Sequence, residues 1–300
     1  MSGEQEHILD CVPAGPQGKE QFPALTLYIN READRERRAS IEAELREAEI
    51  DGKRIRAVEG LAVPGSLTHF FFKGDMQCSQ LSSAEVGVYA SHLMAARIVV
   101  DRGLEHALIL EDDAEFPPNF TQSLKDILAQ LPAGWDFVHL CGNERFATKP
   151  VARLEQSRTL VRYSRVPSGA FAYLISRTGA EKFLTPSKRF WPVDTDLRQP
   201  WRFGLRIYGV VPALVDHSDR FPSTIATGAK GERSRLRRGL PIPSRHCWTG
   251  NPLHTPEGLY FNLKTLGPLW WARCWLQNVR LRIGRKLRPQ GEAQRHASIL

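Results

Sequence analysis

The stretch Ala107-Leu108-Ile109-Leu110-Glu111-Asp112-Asp113 decides the reading of this chain. Four apolar residues in a row have the length of a short buried β-strand. Three carboxylates follow at once, where a parallel strand leaves the core and meets solvent. Ligand sites in open α/β sheets lie beyond the carboxyl ends of strands. Three adjacent negative charges repel one another, and a nearby cation relieves that cost. A hard divalent ion such as Mn²⁺ or Mg²⁺, shared with a diphosphate, suits oxygen ligands of this kind. The competing reading is a helix N-terminus, whose first turn also favours acids.

Working upstream, Ser82-Ser83-Ala84-Glu85 has the spacing of a capping box, and Val86, Tyr89, Leu93 and Ala96 form a helical stripe behind it. Glu85 and His92 fall two turns apart on roughly one face of that helix. A lone helical histidine is more often a packing residue than a catalyst. Gly103 ends the helix just before the acidic strand. Residues 60–80 read as irregular. Further back, 24–29 (ALTLYI) is a strand, 34–49 is a helix with Ile41, Leu45 and Ala48 on one face, and 53–58 is a second strand. This strand–helix–strand opening is that of a nucleotide-binding α/β domain. Arg31, Arg35, Arg37 and Arg38 cluster near its first turn, where they either meet a phosphate or stay as solvated helix charges.

Downstream, 120–131 reads as an amphipathic helix, 136–140 (DFVHL) as a strand and 144–158 as a mobile basic loop. Residues 170–175 (AFAYLI) form another strand, and a short helix runs from Thr178 to about Leu184. A second acidic point, Asp194-Thr195-Asp196, falls on a loop between Trp191 and Trp201. Residues 207–211 (IYGVV) are a strand, and 212–217 continue extended to His217.

The 300 residues allow one large domain or two smaller ones, and 42% hydrophobic with 25% charged residues is the composition of a soluble globular protein. No apolar run approaches a membrane span. Residues 1–22 read as a polar leader without the apolar core of a signal peptide. Five scattered cysteines argue against a disulfide framework or a structural zinc site and point to a reducing compartment, most simply the cytoplasm. The net charge of +8 is uneven. One basic cluster runs from Lys230 to Arg238, and no acid lies between Glu257 and Glu292, where seven Lys or Arg residues fall. Residues 226–256 read as a linker, and a helix from about Leu269 carries the stripe Ala272, Leu276, Val279, Ile283 and Leu287 beside three tryptophans. That helix either lies on an anionic membrane or packs on the main domain. No P-loop, Gly-x-Gly-x-x-Gly or Gly-x-Ser-x-Gly pattern stands out, which weakens kinase, dehydrogenase and esterase readings.

Four segments together resemble glycosyltransferase family 25, the lipopolysaccharide or lipooligosaccharide galactosyltransferase group that also includes collagen galactosyltransferases. They are Leu27-Tyr28-Ile29-Asn30 with Asp34, Arg37 and Arg38, closing at Ala57-Val58-Glu59-Gly60; Leu81 to His92; Leu110-Glu111-Asp112-Asp113; and Ser168 to Ser176 with Gly179 and Ala180, followed by Asp194. Val88 stands where the family usually has cysteine, and Tyr28 where a smaller apolar residue is common.

The resemblance implies an α/β, GT-A-like Rossmann-type domain with a mixed central sheet over 23–226, and a basic helical C-terminal extension over 227–300. It implies a UDP-sugar donor, most often UDP-galactose, a Mn²⁺ or Mg²⁺ ion and inversion at the anomeric carbon. Asp113 is then the expected metal ligand, with Asp112 on the metal or the ribose, His217 completing the shell and Glu111 either sharing in the site or shaping the turn. Asn30, Arg37 and Arg38 would hold the nucleotide, and Glu85 and His92 would line or brace the donor pocket. Asp194 is the expected base for an acceptor hydroxyl, with Asp196 as runner-up. The expected acceptor is a lipid-linked or cell-envelope glycan at the inner membrane face, with peripheral contact to anionic lipid. Two readings compete: a non-catalytic nucleic-acid- or anion-binding protein using the basic C-terminus, and an inactive transferase homologue.

Overall fold

A computed structural model describes residues 9–10, 25–79, 81–142, 145–218, 220–221 and 255–287. The leader, apart from Leu9–Asp10, and the linker up to His254 therefore lie outside the described residues, as does the Lys230–Arg238 cluster.

Nine of the described strands build one mixed sheet. Its first half is β1 (Leu9–Asp10), β3 (Gly52–Arg56), β2 (Thr26–Asn30) and β6 (His106–Glu111), side by side in that order. The second half continues from β6 with β11 (Ala172–Ser176), β8 (Phe137–His139), β12 (Ile207–Val211), β10 (Thr159–Tyr163) and β9 (Thr148–Arg153). β3, β2 and β6 are mutually parallel, while β11 runs antiparallel between β6 and β8. The fold is thus α/β with a mixed central sheet, as expected.

Side chains alternate between the faces with the period of two that strands impose. Leu27, Ile29, Ala107, Ile109, Tyr173 and Ile175 enter one core layer, and Tyr28, Leu108, Leu110, Ala172 and Leu174 enter the other. Helix α1 (Arg35–Glu47) covers the second layer with Ile41 and Leu45, joined there by α4 (Phe120–Gln130). The first layer is covered by α2 (Gly65–Phe71), α3 (Ser83–Asp101), α5 (Arg177–Phe183) and α6 (Val193–Leu197).

Helix α3 fixes the sheet against its neighbours. Its start is the capping box: Ser82 Oγ accepts from the Glu85 amide, and the Glu85 carboxylate accepts from the Ser82 amide at 2.9 Å. One turn later Gly87 lets the helix touch the chain beyond β3, since a Cβ there would collide with the Val58 carbonyl oxygen. Gly103, at φ +64, ends the helix as its position suggested.

The chain leaves β2 through α1 to β3 on one side, then returns over the opposite face through α3 to β6 on the other side. The sequence order therefore reverses between β2 and β6. In open α/β sheets such a reversal leaves a crevice beyond the strand ends, and that crevice is where ligands bind.

Three expectations need correction. The 60–80 region holds α2 and a small hairpin of β4 (Phe72–Lys73) and β5 (Met76–Gln77) instead of irregular chain. The basic segment 144–158 contains the edge strand β9, paired with β10 in a hairpin. The acidic point at 194–196 lies in helix α6, not on a loop. Helix α7 (Pro256–Leu266), unforeseen in the sequence, precedes the expected α8 (Pro268–Leu287). Both pack against the β9 side of the sheet: Lys149 donates to the Leu266 carbonyl at 2.9 Å and Asn278 accepts from the Ala147 amide at 2.7 Å.

Candidate functional site

Asn30 closes β2 and Glu111 closes β6, so the reversal point is lined by Asn30 on one side and Glu111-Asp112-Asp113 on the other. Asp112 and Asp113 are buried, each 7% exposed. Two adjacent carboxylates at that depth need positive or donor partners, and the structure supplies them. Arg37, from the first turn of α1, donates Nε to Asp112 Oδ1 at 2.7 Å and Nη2 to Asp113 Oδ2 at 2.5 Å. Asn30 donates to Asp112 Oδ2 at 2.7 Å. His217 sits on β13 (Asp216–His217), which pairs with β7 (Ala114–Glu115) directly after the acids. Its Nε2 lies 3.1 Å from Asp113 Oδ2. Phe221 lies under the Arg37 guanidinium and Phe171 meets the His217 ring edge-on.

The electrostatics follow from these contacts. Burial pushes the Asp112 carboxyl above its ordinary value, and Arg37 and Asn30 only partly oppose it. Burial also acts on Asp113, but the His217 hydrogen bond and the Arg37 charge outweigh it and hold that carboxyl below the usual range. In return the hydrogen bond to Asp113 raises His217. The pair is thus unsymmetrical, with Asp113 the more firmly ionised.

The second layer is built from residues of both halves. Arg54, a buried arginine inside β3, donates to Asn30 Oδ1 at 3.1 Å and to Glu32 at 3.0 Å, so it sets the Asn30 amide toward Asp112. Sequence reasoning missed it; the signal was a charged residue placed at an inward position of a short strand. His92 lies beneath the site, with Nδ1 3.0 Å from the Tyr173 hydroxyl and Nε2 3.4 Å from Glu111. These contacts tie helix α3 to the ends of β6 and β11.

The remaining expected residues have the following partners. Arg37 reaches the acids with Nε and Nη2, while its Nη1 is buried without a hydrogen-bond partner. Arg38 turns to Glu42 at 2.8 Å, and that glutamate also accepts from the Tyr28 hydroxyl. Glu85 is occupied as the α3 cap. Asp196 is fully buried, accepts from the Tyr89 hydroxyl at 2.9 Å and pairs with Arg202. A carboxylate so enclosed cannot meet an acceptor hydroxyl, so Asp196 is a structural residue. Asp194 is half-buried at the start of α6, with Thr195 and the charge of Arg198 as its neighbours.

A divalent ion can be tested against these residues. Asp112 has each oxygen committed, to Arg37 and to Asn30. Asp113 Oδ1, by contrast, is buried with no hydrogen-bond partner. An orphaned oxygen on a carboxylate whose other oxygen meets an imidazole suits an ion that takes one or two protein ligands and completes its shell from a diphosphate. Among the described residues no ready-made cluster of three or more His, Cys, Asp or Glu groups is present. Asp113 and His217 therefore fit such an ion only together with its substrate.

The family model described as glycosyltransferase family 25 (LPS biosynthesis protein) matches residues 25–197, a span that holds Asn30, Arg37, Asp112, Asp113 and Asp194 but not His217. The chain belongs to glycosyltransferase family 25. Procollagen galactosyltransferase 2 of Homo sapiens is 29% identical over 206 residues, covering 64% of this chain and 32% of that protein. The inactive glycosyltransferase 25 family member 3 of Mus musculus is 30% identical over 172 residues, covering 53% of this chain and 28% of that protein. This family 25 chain thus spans about a third or less of the length of these curated relatives. A crystal structure of a Drosophila beta-1,4-galactosyltransferase 7 mutant with manganese, UDP-Gal and xylobiose aligns at 11% identity with a TM-score of 0.32, covering 73% of this chain and 81% of that one. That likeness is too remote to carry residue positions across.

Proposed function

We propose that this protein is an inverting, metal-dependent glycosyltransferase of GT-A-like fold that moves a hexose, galactose first, from a UDP-sugar to a hydroxyl of a cell-envelope glycan. The observation that carries the reading is the Asp112–Asp113 pair at the strand-order reversal, where Asp113 Oδ1 is buried without a partner while Asp113 Oδ2 meets Arg37 and His217. Membership of the family, and relatives named as galactosyltransferases, support the donor class.

In this reading Asp113 and His217 hold the divalent ion, which when bound supplies positive charge to the leaving diphosphate. Asn30, set by Arg54, and Asp112, set by Arg37, form the floor of the donor pocket. The acceptor hydroxyl attacks the anomeric carbon from the face opposite the diphosphate, the carbon–oxygen bond to the diphosphate breaks, and the hydroxyl proton passes to a carboxylate. Asp194 takes that proton, being the half-buried acid of α6, whereas Asp196 is sealed.

Incubation with UDP-sugars and Mn²⁺, following UDP release and the anomeric configuration of the product, tests this. Turnover with inverted product supports it, and no turnover with any sugar nucleotide together with no UDP binding overturns it. The relatives named inactive make a second outcome specific: UDP binding without turnover would place the chain with them.

A further inference from the structure

Helices α7 and α8 carry more apolar surface than the fold uses. Their inward side is set by contacts. Cys274 is buried, Asn278 accepts from the Ala147 amide and donates to Ser164 Oγ at 3.0 Å, and Asn262 donates to the Ser164 carbonyl at 2.8 Å. At 100° per residue, Leu269, Leu276 and Ile283 lie on the side of α8 opposite Cys274 and Asn278, with Ala272 and Val279 next to them. They face away from the protein: Leu269 is 87% exposed, Leu276 52% and Ile283 53%. Trp275 is also exposed. Single exposed apolar side chains are ordinary, but a continuous row along a helix marks a contact surface.

The charge beside this row has one sign. Arg273 and Arg280 flank it on the same edge and are exposed, as is Arg282. No acid occurs between Glu257 and Glu292. We infer that this face of α8 docks on the surface of an anionic lipid bilayer, the Leu269–Leu276–Ile283 row entering the boundary between headgroups and acyl chains and the arginines meeting lipid phosphates. A surface apolar at its centre and anionic at its rim is what an apolar row edged by arginine matches. Nucleic acid offers no partner for the leucines. A second copy of this face would set arginine against arginine across a two-fold axis. The helix lies on the bilayer: none of the described helices is long and apolar enough to cross a membrane. This inference does not depend on the donor chemistry, though it would bring the protein to a lipid-linked acceptor.

The test is cosedimentation of the full chain with vesicles of phosphatidylcholine alone or mixed with phosphatidylglycerol, at low and high salt. Binding to the anionic vesicles only, weakened by salt, is the expected result. Arg273→Gln and Arg280→Gln should each weaken binding about fivefold, the effect of one surface arginine near an anionic leaflet. The pair Leu276→Asp with Ile283→Asp should reduce it more than about tenfold while the melting transition is kept. A readout on the unaltered protein is quenching of tryptophan emission by bromine-labelled acyl chains, which should fall in Trp275→Phe. Absence of binding to anionic vesicles at low salt, binding unchanged by the double aspartate variant, or quenching unchanged in Trp275→Phe would overturn the inference. So would a dimer in solution that the aspartate substitutions dissociate, since a second copy would then cover the face.

Discussion

Replacing Arg37 by alanine removes the cation shared by two buried carboxylates. The arginine side chain is 11% exposed and each aspartate side chain 9%, and the contacts are 2.7 Å and 2.5 Å. Deleting one partner of a buried pair costs about 3–5 kcal/mol, because the remaining charge stays desolvated and uncompensated. Here two charges lose one cation, but Asn30 still serves Asp112 and His217 still serves Asp113. The expected loss is therefore near the lower end, about 3 kcal/mol. Urea unfolding followed by circular dichroism measures it as a shift in midpoint at constant slope. Arg37→Lys keeps the charge without the two-pronged fork and should fall between wild type and alanine. Excess Mn²⁺ should stabilise the alanine variant more than the wild type, because the ion then faces two uncompensated carboxylates. A loss below about 1 kcal/mol, the level of an exposed pair, would show instead that the acids are solvated and the crevice open to water.

Other expectations follow from the same packing. Asp196→Ala should destabilise by about 3–5 kcal/mol by leaving Arg202 and Tyr89 without their acceptor, whereas Asp194→Ala should keep the urea midpoint and lose turnover. His139 is fully buried with both ring nitrogens unpartnered, and burial holds its pKa at about 4. The unfolded chain takes up that proton near pH 6.5 and the folded one only near 4, so stability is full above 6.5 and falls as pH drops between the two values. The fall is about 3 kcal/mol, read by urea titrations at stepped pH, and His139→Leu should flatten it over that window. Gly87→Ala, which forces a methyl against the Val58 carbonyl, should cost about 1–3 kcal/mol by thermal melting.

Local signals were the ones that read through from sequence to structure. The acidic strand end, the Ser82–Glu85 capping box and the inward Ile41 and Leu45 of α1 each depend on residues within a turn or two of one another. Strand β9 did not read as a strand because it is an edge: Lys149, Pro150, Val151 and Arg153 have little to bury, and the proline and charges that protect an edge are also what a loop contains. Helix α2 hid in an apolar run, Phe70-Phe71-Phe72, that straddles a helix end and a strand start. At the site, the acids and His217 were legible but the partners were not. Arg37 and Arg38 are adjacent in sequence and look equivalent, yet a 100° turn of helix aims one at the aspartates and the other at Glu42. Asp194 and Asp196 differ in the same way, since only the fold shows that Tyr89 and Arg202 enclose the second. Arg54 acts through Asn30 across the β2–β3 pairing, a relation no local pattern encodes.

In the proposed activity Asp113 holds the donor diphosphate through a divalent ion at the β2–β6 crevice. Calorimetric titration of UDP into the wild type and into Asp113→Asn, each with and without Mn²⁺, tests it most directly. Binding to the wild type should require Mn²⁺ and weaken at least about tenfold in the variant, the loss of one charge-assisted contact, while the variant's melting transition persists. Equal UDP affinity in the two proteins, or binding indifferent to the metal, would contradict it.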